Sequence, residues 1–267
     1  RRFRCPNLLA VAASGCGSYA ALGRSRAEPC PSPAPDKATR NDGRTAAFGT
    51  LVHEQGTATP KTAEGAKWLY AKWAATYDEA LMSWDYTAPD RIAEVSFSNG
   101  AGTTDRVLDL GCGTGLSGEA LSKKNIGSGG GIVGVDISPE ALKVAGEKGV
   151  YQQTLIANLD EILPLADEDF DLVVSVGVFS YVQRFDTLFD EILRVSRPGA
   201  MCIFTHRQDL WDPDVRGCRT EALKRVRNLK WELISEGTPE DYMPRNPHDD
   251  QRALKVRLLA FRKLPAE

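Results

Sequence analysis

Cysteine, histidine and methionine are scarce in this sequence, with six, three and three residues. The cysteines (Cys5, Cys16, Cys30, Cys112, Cys202 and Cys218) form no CxxC pair and no Cys/His cluster at ligand spacing. That removes the common structural zinc frameworks and leaves unpaired thiols, as in a reducing compartment. Cys202, inside an apolar run, reads as a small buried side chain. No stretch approaches the roughly 20 apolar residues that span a bilayer. A basic face is missing too. The net charge is −3, and residues 1–40 carry seven basic side chains against Glu28 and Asp36, which leaves −8 on the rest. Binding to a nucleic-acid backbone needs concentrated positive charge, so no nucleic-acid partner is expected. No catalytic triad, paired carboxylates or metal cluster stands out either.

What is present begins with an unusual leader. "RRFRCPNLLAVAASGCGSYAALGRSRAEPCPSPAPDK" starts without Met, is rich in Arg, and runs into a Pro-rich stretch that cannot pack. Residues 1–60 are read as a disordered leader of a fragment or processed chain, with the composition of a targeting peptide. The expected location is an organelle, plastid or mitochondrion, if this is a transit signal, and the cytoplasm otherwise. Residues 61–267 are expected to form one domain, acting as a monomer.

From residue 64 the pattern is orderly. "AEGAKWLYAKWAATYDEALMSW" spaces aromatics as on a helix, and a short helix follows Pro89. Apolar runs at 106–111, 131–138, 153–158, 170–180 and 200–207 read as buried strands. Helical patterns at 116–125, 138–149 and 185–199 separate them. Ser138 is expected as an N-cap with Pro139 behind it and Gly149 as a stop. A helix at about 219–229 and strands at 231–238 and 254–264 complete the chain, with 239–253 as a loop. Continuous apolar strands alternating with helices mean a mostly parallel sheet covered on both faces. The last two strands, with no helix between them, are expected to pair antiparallel.

"VLDLGCGTG" places a glycine loop after the first strand, where ligands bind in such sheets. A phosphate loop would need GxxxxGK[ST], and no Lys stands at the required place. The dinucleotide spacing G-x-G-x-x-G is absent as well, since Gly111, Gly113 and Gly115 give G-x-G-x-G. Asp109 lies inside the first strand, where an acid needs a cation or hydrogen-bond donors. Asp136 closes the second strand, placed to accept from ribose hydroxyls.

These residues resemble the first two motifs of class I S-adenosylmethionine-dependent methyltransferases. "LPLADEDFDLVVSVGVFSYV" and "RVSRPGAMCIFT" resemble the stretches through that family's fourth strand and into its fifth. The resemblance implies an α/β fold: a doubly wound, Rossmann-like, seven-stranded, mostly parallel sheet with an antiparallel last strand and helices on both faces. It implies S-adenosyl-L-methionine as cofactor. Asp109, Gly111, Gly113 and Gly115 would surround its methionine part, and Asp136 and Ile137 its ribose and adenine. Asn158, Leu159 and Asp160 would meet the adenine edge, and Ser175, Gly177 and Val178 the far wall. Asn158 departs from the family's usual Asp. "YAKWAATYDEALMSWDYTAPDRIAE" is similar to the methyltransferase-like family named for the Williams–Beuren syndrome chromosomal region. That likeness implies that Trp73 and Tyr77 cap the cofactor, with the Tyr77 hydroxyl on its carboxylate.

Methyl transfer asks the protein mainly to position a nucleophile. His206 and Tyr181 are candidate bases, and neither is assigned. The motif of amino-group methylation is absent after the fourth strand, so a small molecule or a protein side chain stays open as acceptor. A cofactor-binding partner protein without turnover is the alternative. A nicotinamide oxidoreductase is disfavoured by the glycine spacing.

Overall fold

The computed structural model describes residues 63–265; the leader at 1–60 lies outside them. Two helices come first, α1 (Ala63–Ser83) and α2 (Ala88–Ser98). Pro89 occupies the opening turn of α2, where its missing N–H costs nothing, and Ile92, Ala93 and Ser96 form the buried stripe.

Strand β1 (Val107–Leu110) is buried at all four positions. It is the kind of strand that only a sheet covered on both faces produces. α3 (Leu116–Lys123), β2 (Ile132–Asp136), α4 (Pro139–Glu147), β3 (Gln153–Ile156) and β4 (Phe170–Ser175) follow. Then come α5 (Phe185–Val195), β5 (Ser196–Arg207), the short α6 (Gln208–Trp211) and α7 (Cys218–Arg227). The last part holds β6 (Trp231–Glu236), β7 (Glu240–Asp241), α8 (Asp249–Arg252) and β8 (Lys255–Lys263).

The strand order is β3-β2-β1-β4-β5-β8-β6, with β7 on β8. The first five strands pair in parallel, and β8 runs antiparallel to both β5 and β6. The expected architecture is therefore the observed one, with two refinements. β8 is inserted between β5 and β6, and the two-residue β7 adds an eighth strand inside the expected loop.

Ser138 caps α4 as read from the sequence, its Oγ accepting from the Ala141 amide at 3.2 Å. Two boundaries differ. The helix expected to reach residue 199 ends at Val195, and Ser196 to Gly199 form the irregular start of β5. Pro198 disfavours a helical conformation for Arg197, and a sheet tolerates it at an irregular end. The strand expected to reach residue 180 stops at Ser175. Gly177 adopts φ +73° and gives its N–H to Thr205 Oγ1 at 2.8 Å, so the chain turns there.

One apolar core runs beneath α5 and α7, from Leu108, Leu110 and Val133 to Phe189, Phe204 and Phe261. A second lies under α2 and α3, around Ile92, Leu121 and Ile203. A third gathers Trp73, Leu81, Trp84 and Met243, and so joins α1 to the segment between β7 and α8. Among the described residues, no helix is long and apolar enough to cross a membrane.

Candidate functional site

A cleft opens at the carboxyl ends of β2, β1 and β4. Its empty volume, including the part open to solvent, is about 830 Å³. Of the residues expected at the site, Tyr77, Gly111, Gly113, Asp136, Ile137, Leu159, Gly177 and Val178 line it.

The loop after β1 is held to β2 by two bonds, Gly111 and Cys112 N–H to the Val135 carbonyl at 2.7 and 3.0 Å. Its glycines do different things. A Cβ on Gly111 would stand 2.3 Å from a Val178 methyl, so this glycine lets β1 and the turn after β4 close together. At Gly115 the neighbours are Tyr151 and Ala145, which is packing of α3 on α4. At Gly113, which lines the cleft, a Cβ would meet nothing within 4 Å. The Gly113 N–H donates to Asp136 Oδ2 at 2.9 Å, while Asp136 Oδ1 accepts from the Ser138 N–H at 2.8 Å. Burial raises the Asp136 pKa, and these backbone donors oppose the rise. A carboxylate has about four acceptor positions, so capacity for a ligand's hydroxyls remains.

Asp109 lies one layer down. Its Oδ2 accepts from Ser117 Oγ at 2.6 Å and from the Tyr151 hydroxyl at 2.7 Å. These donors, from α3 and the turn before β3, are not the glycine loop. Oδ1 is buried without a partner among the described residues. Burial lifts the carboxyl to about 6, against the two hydroxyl bonds. An unpaired buried carboxylate oxygen fits a ligand's ammonium group, because leaving it unpaired is costly.

The other expected residues stand around the cleft and do not line it. Trp73 backs Tyr77, ring edge to ring face at 4.6 Å between centroids. Ser175 Oγ bonds the Leu110 carbonyl at 2.8 Å, tying β4 to β1. Asn158 Oδ1 accepts the Asp160 N–H at 3.1 Å, and its amide donates to Glu161 at 3.0 Å. Asp160 Oδ1 accepts the N–H groups of Gln183 and Arg184 at the entry to α5, at 2.8 and 2.9 Å. His206 is away from the cleft, packed among Phe179, Phe185 and Trp211, and burial lowers its pKa to about 4. Cys112, Cys202 and Cys218 are free and buried, and burial raises all three thiols.

Sequence reading missed several contributors, Ser117 among them. Tyr86 and Pro89 line the cleft from the start of α2, and "DYTAP" carried the only signal. Thr114 lines it too, and its Oγ1 donates to Asp78 Oδ1 at 2.5 Å. Asp78 Oδ2 also pairs with Lys148 at 2.7 Å, and Lys148 reaches Glu119 as well. Asp78 thereby latches α1 onto the glycine loop and α4, and holds the adjacent Tyr77 over the cleft.

The fold, and the place of this site on it, are similar to those of methyltransferase domains. A family model described as a methyltransferase domain matches residues 108–204. An arsenite methyltransferase of Halobacterium salinarum is 35% identical over 99 residues, 36% of this chain and 25% of that protein. A demethylmenaquinone methyltransferase of Tropheryma whipplei is 27% identical over 149 residues, 54% of this chain and 59% of the relative. A malonyl-[acyl-carrier protein] O-methyltransferase 2 of Ilyobacter polytropus is 25% identical over 205 residues, 70% and 76% of the two chains. The chain thus spans less than two thirds of the length of the first two relatives.

Two solved structures share the fold. One is the complex between the Haloferax volcanii Trm112 methyltransferase activator and the putative methyltransferase. It is 21% identical, with a TM-score of 0.55, over 73% of this chain and 98% of that one. The other is an S-adenosylmethionine-dependent methyltransferase of Methanosarcina mazei, 17% identical with a TM-score of 0.50, over 64% and 97%.

Proposed function

We propose that this chain binds S-adenosylmethionine in the cleft and transfers its methyl group to an acceptor, a small molecule or a protein side chain. The observation that carries the reading is the glycine loop with its two acids. Asp136 is fixed by the Gly113 and Ser138 amides beside open space, and Asp109 offers one unpaired buried oxygen below. S-adenosylmethionine, when bound, supplies a methyl group activated on a cationic sulfur.

The chain's own residues do the rest. Asp136 accepts from the ribose hydroxyls, Ile137 and Leu159 face the base, and Gly113 lets the backbone approach. Asp109 and Ser117 receive the amino group, and Tyr77, backed by Trp73, closes the cleft from above. Asn158 and Asp160 brace the chain behind the cleft, through the Asp160, Gln183 and Arg184 amides. The "YAKWAATYDEAL" helix and its Tyr77 support placing the chain with the Williams–Beuren methyltransferase-like family. The relatives' names, which give arsenite, demethylmenaquinone and malonyl-[acyl-carrier protein], differ in acceptor.

Calorimetric titration with S-adenosylmethionine, S-adenosylhomocysteine and NAD tests the reading. The first two are expected to bind, and binding of NAD alone would overturn it. Asp136→Ala is expected to weaken cofactor binding by about 1 kcal/mol or more, through hydroxyls left unpaired. Unchanged affinity would remove Asp136 from the site.

A further inference from the structure

The cleft has two ends. Along the carboxyl edge of the sheet the strands run β2, β1, β4, so Asp136 and Gly177 stand at opposite ends with the glycine loop between them. A nucleoside at Asp136 and an amino-acid end at the glycine loop leave the β4 end for the second reactant. That end is assembled from separate parts of the chain. Tyr86, from the turn between α1 and α2, and Tyr181, from the turn after β4, line it, while Tyr242, from the segment after β7, stands behind them against Tyr86 and Gly177. The Tyr86 and Tyr242 rings meet edge to face, centroids 5.3 Å apart, and their hydroxyls share a hydrogen bond. Both hydroxyls stand directly over Gly177. A Cβ there would come within 2.8 Å of the Tyr242 oxygen and 2.9 Å of the Tyr86 oxygen.

The polar side chains that line this end are the hydroxyls of Tyr86 and Tyr181. Among the described residues that line the cleft, Asp136 is the one carboxylate, at the far end, and none is His, Lys or Arg. Burial raises Tyr86 and Tyr242, the latter to about 12, so they serve as neutral hydroxyl donors and not as phenolates. With no charged side chain at this end to take a proton, an acceptor that arrives with its lone pair already free suits it best. At neutral pH amines, thiols and phenols arrive protonated, with ordinary pKa values of about 10.4, 8.5 and 10, while a carboxyl, at about 4, arrives ionised. Charge points the same way. The reacting sulfur is cationic, and the Arg207 guanidinium, paired with Asp209, acts on both Tyr242 and Tyr181.

We propose that the Tyr86–Tyr242 pair over Gly177 is the acceptor subsite and that the accepting group is a carboxylate, methylated to an ester. The inference rests on the cofactor reading above. A carboxylate oxygen forms the new O–CH₃ bond as the S–CH₃ bond breaks, and the bonding pair stays on sulfur. The negative and positive charges cancel, and no proton moves, which is why the site needs no base.

The product bond gives the test. The protein is incubated with methyl-tritiated S-adenosylmethionine and fractions of a cell extract, with octanoate and phenylacetate run beside octylamine and octanol. Methyl esters release their label as volatile methanol in mild alkali, whereas N-methyl, S-methyl and ether products keep it. Base-labile label supports the proposal. Base-stable label alone, or no base-labile label in any fraction, overturns it. Binding supplies a readout that needs no turnover. The acid that carries label is expected to bind the S-adenosylmethionine complex roughly tenfold more tightly than the S-adenosylhomocysteine complex, because only the first presents a cation. Equal affinity overturns the proposal. Tyr242→Phe is expected to weaken that acid at least threefold with S-adenosylhomocysteine affinity unchanged. If Tyr242→Phe lowers the melting temperature, Tyr86→Phe repeats the measurement, and unchanged acid affinity in the folded variant counts against the subsite. Failure to bind either cofactor form would sink both readings. Cofactor binding with base-stable label would sink only this one.

Discussion

Gly111 and Gly113 are two residues apart in the same loop, both at positive φ (+70° and +53°), yet their surroundings predict different failures on substitution by Ala. At both positions a side chain in the left-handed region costs roughly 1–2 kcal/mol. Only at Gly111 does the new Cβ collide, at 2.3 and 2.6 Å from the two Val178 methyls and 2.9 Å from their shared carbon. Val is stiff at χ1, so the clash cannot be relieved by swinging a flexible end, and overpacking of this kind adds roughly 1–3 kcal/mol. Gly111→Ala should therefore cost about 2–5 kcal/mol. At about 2–4 °C per kcal/mol for a domain of this size, that is about 4–20 °C in melting temperature by circular dichroism. Gly113→Ala should lose only the backbone part, since nothing lies within 4 Å, while cofactor affinity falls most. A double-mutant cycle isolates the clash: Val178→Ala should restore about 1–3 kcal/mol to Gly111→Ala and nothing to Gly113→Ala. Equal destabilisation by the two alanines, or no recovery with Val178→Ala, would refute this division of the loop.

Other expectations follow from the same contacts. Asp78→Ala removes the Thr114 and Lys148 partners. Amide exchange in α1 should quicken and cofactor affinity should fall several-fold, and unchanged exchange would show that α1 is held by packing alone. Asp109, whose carboxyl is lifted from 3.8 to about 6, keeps full stability below pH 4 and loses it as pH rises through 6. A rise of that size corresponds to about 3 kcal/mol, so Asp109→Asn should gain on the wild type by up to that amount between pH 4 and 7 in melts without cofactor. A pH-independent difference would refute the assignment. His206 is shifted the other way, from 6.5 to about 4, so its contribution is present above pH 6.5 and lost as pH falls through 4. His206→Phe should flatten the acid limb of the stability curve, and an unaltered limb would place the sensitivity elsewhere.

The alternation of strands and helices was legible because each buried strand is a short apolar run and each helix carries its own punctuation, Ser138–Pro139 being the clearest. The glycine loop was legible through its spacing, and Asp136 through its position at a strand end. Asp109 was legible as an acid in need of a reason, but not its partners, since Ser117 and Tyr151 come from other elements. Strand β4 was read too long because "SVGVFS" continues the apolar pattern, whereas Gly177 turns the chain through its φ and its bond to Thr205. Tyr86, Asp78 and Tyr242 were illegible as site residues. Each gains its role from a tertiary contact with a distant segment, which no local periodicity records.

Those distant contacts decide how the cleft is closed. The segment between β6 and β8 grips the first two helices through Arg91–Glu240 and Arg245–Asp85, pairs whose side chains are 43–73% exposed. Exposed ion pairs contribute roughly 0–1 kcal/mol each, so they cannot be what holds the segment down. The hold lies instead with Met243, buried against Trp73 and Trp84, and with the Tyr86–Tyr242 contact over Gly177. Burying a side chain of methionine size is worth about 1.5–3 kcal/mol, more than both surface pairs at the usual yield. The same aromatic cluster supports Tyr77 at the glycine loop and Tyr86 at the β4 end. The two ends of the cleft therefore share one wall, built from α1, the α1–α2 turn and the β7–α8 segment. A ligand that moves Tyr77 must press on the cluster that positions the two tyrosine hydroxyls. The packing of this wall, rather than its exposed ion pairs, is what the two ends of the cleft have in common.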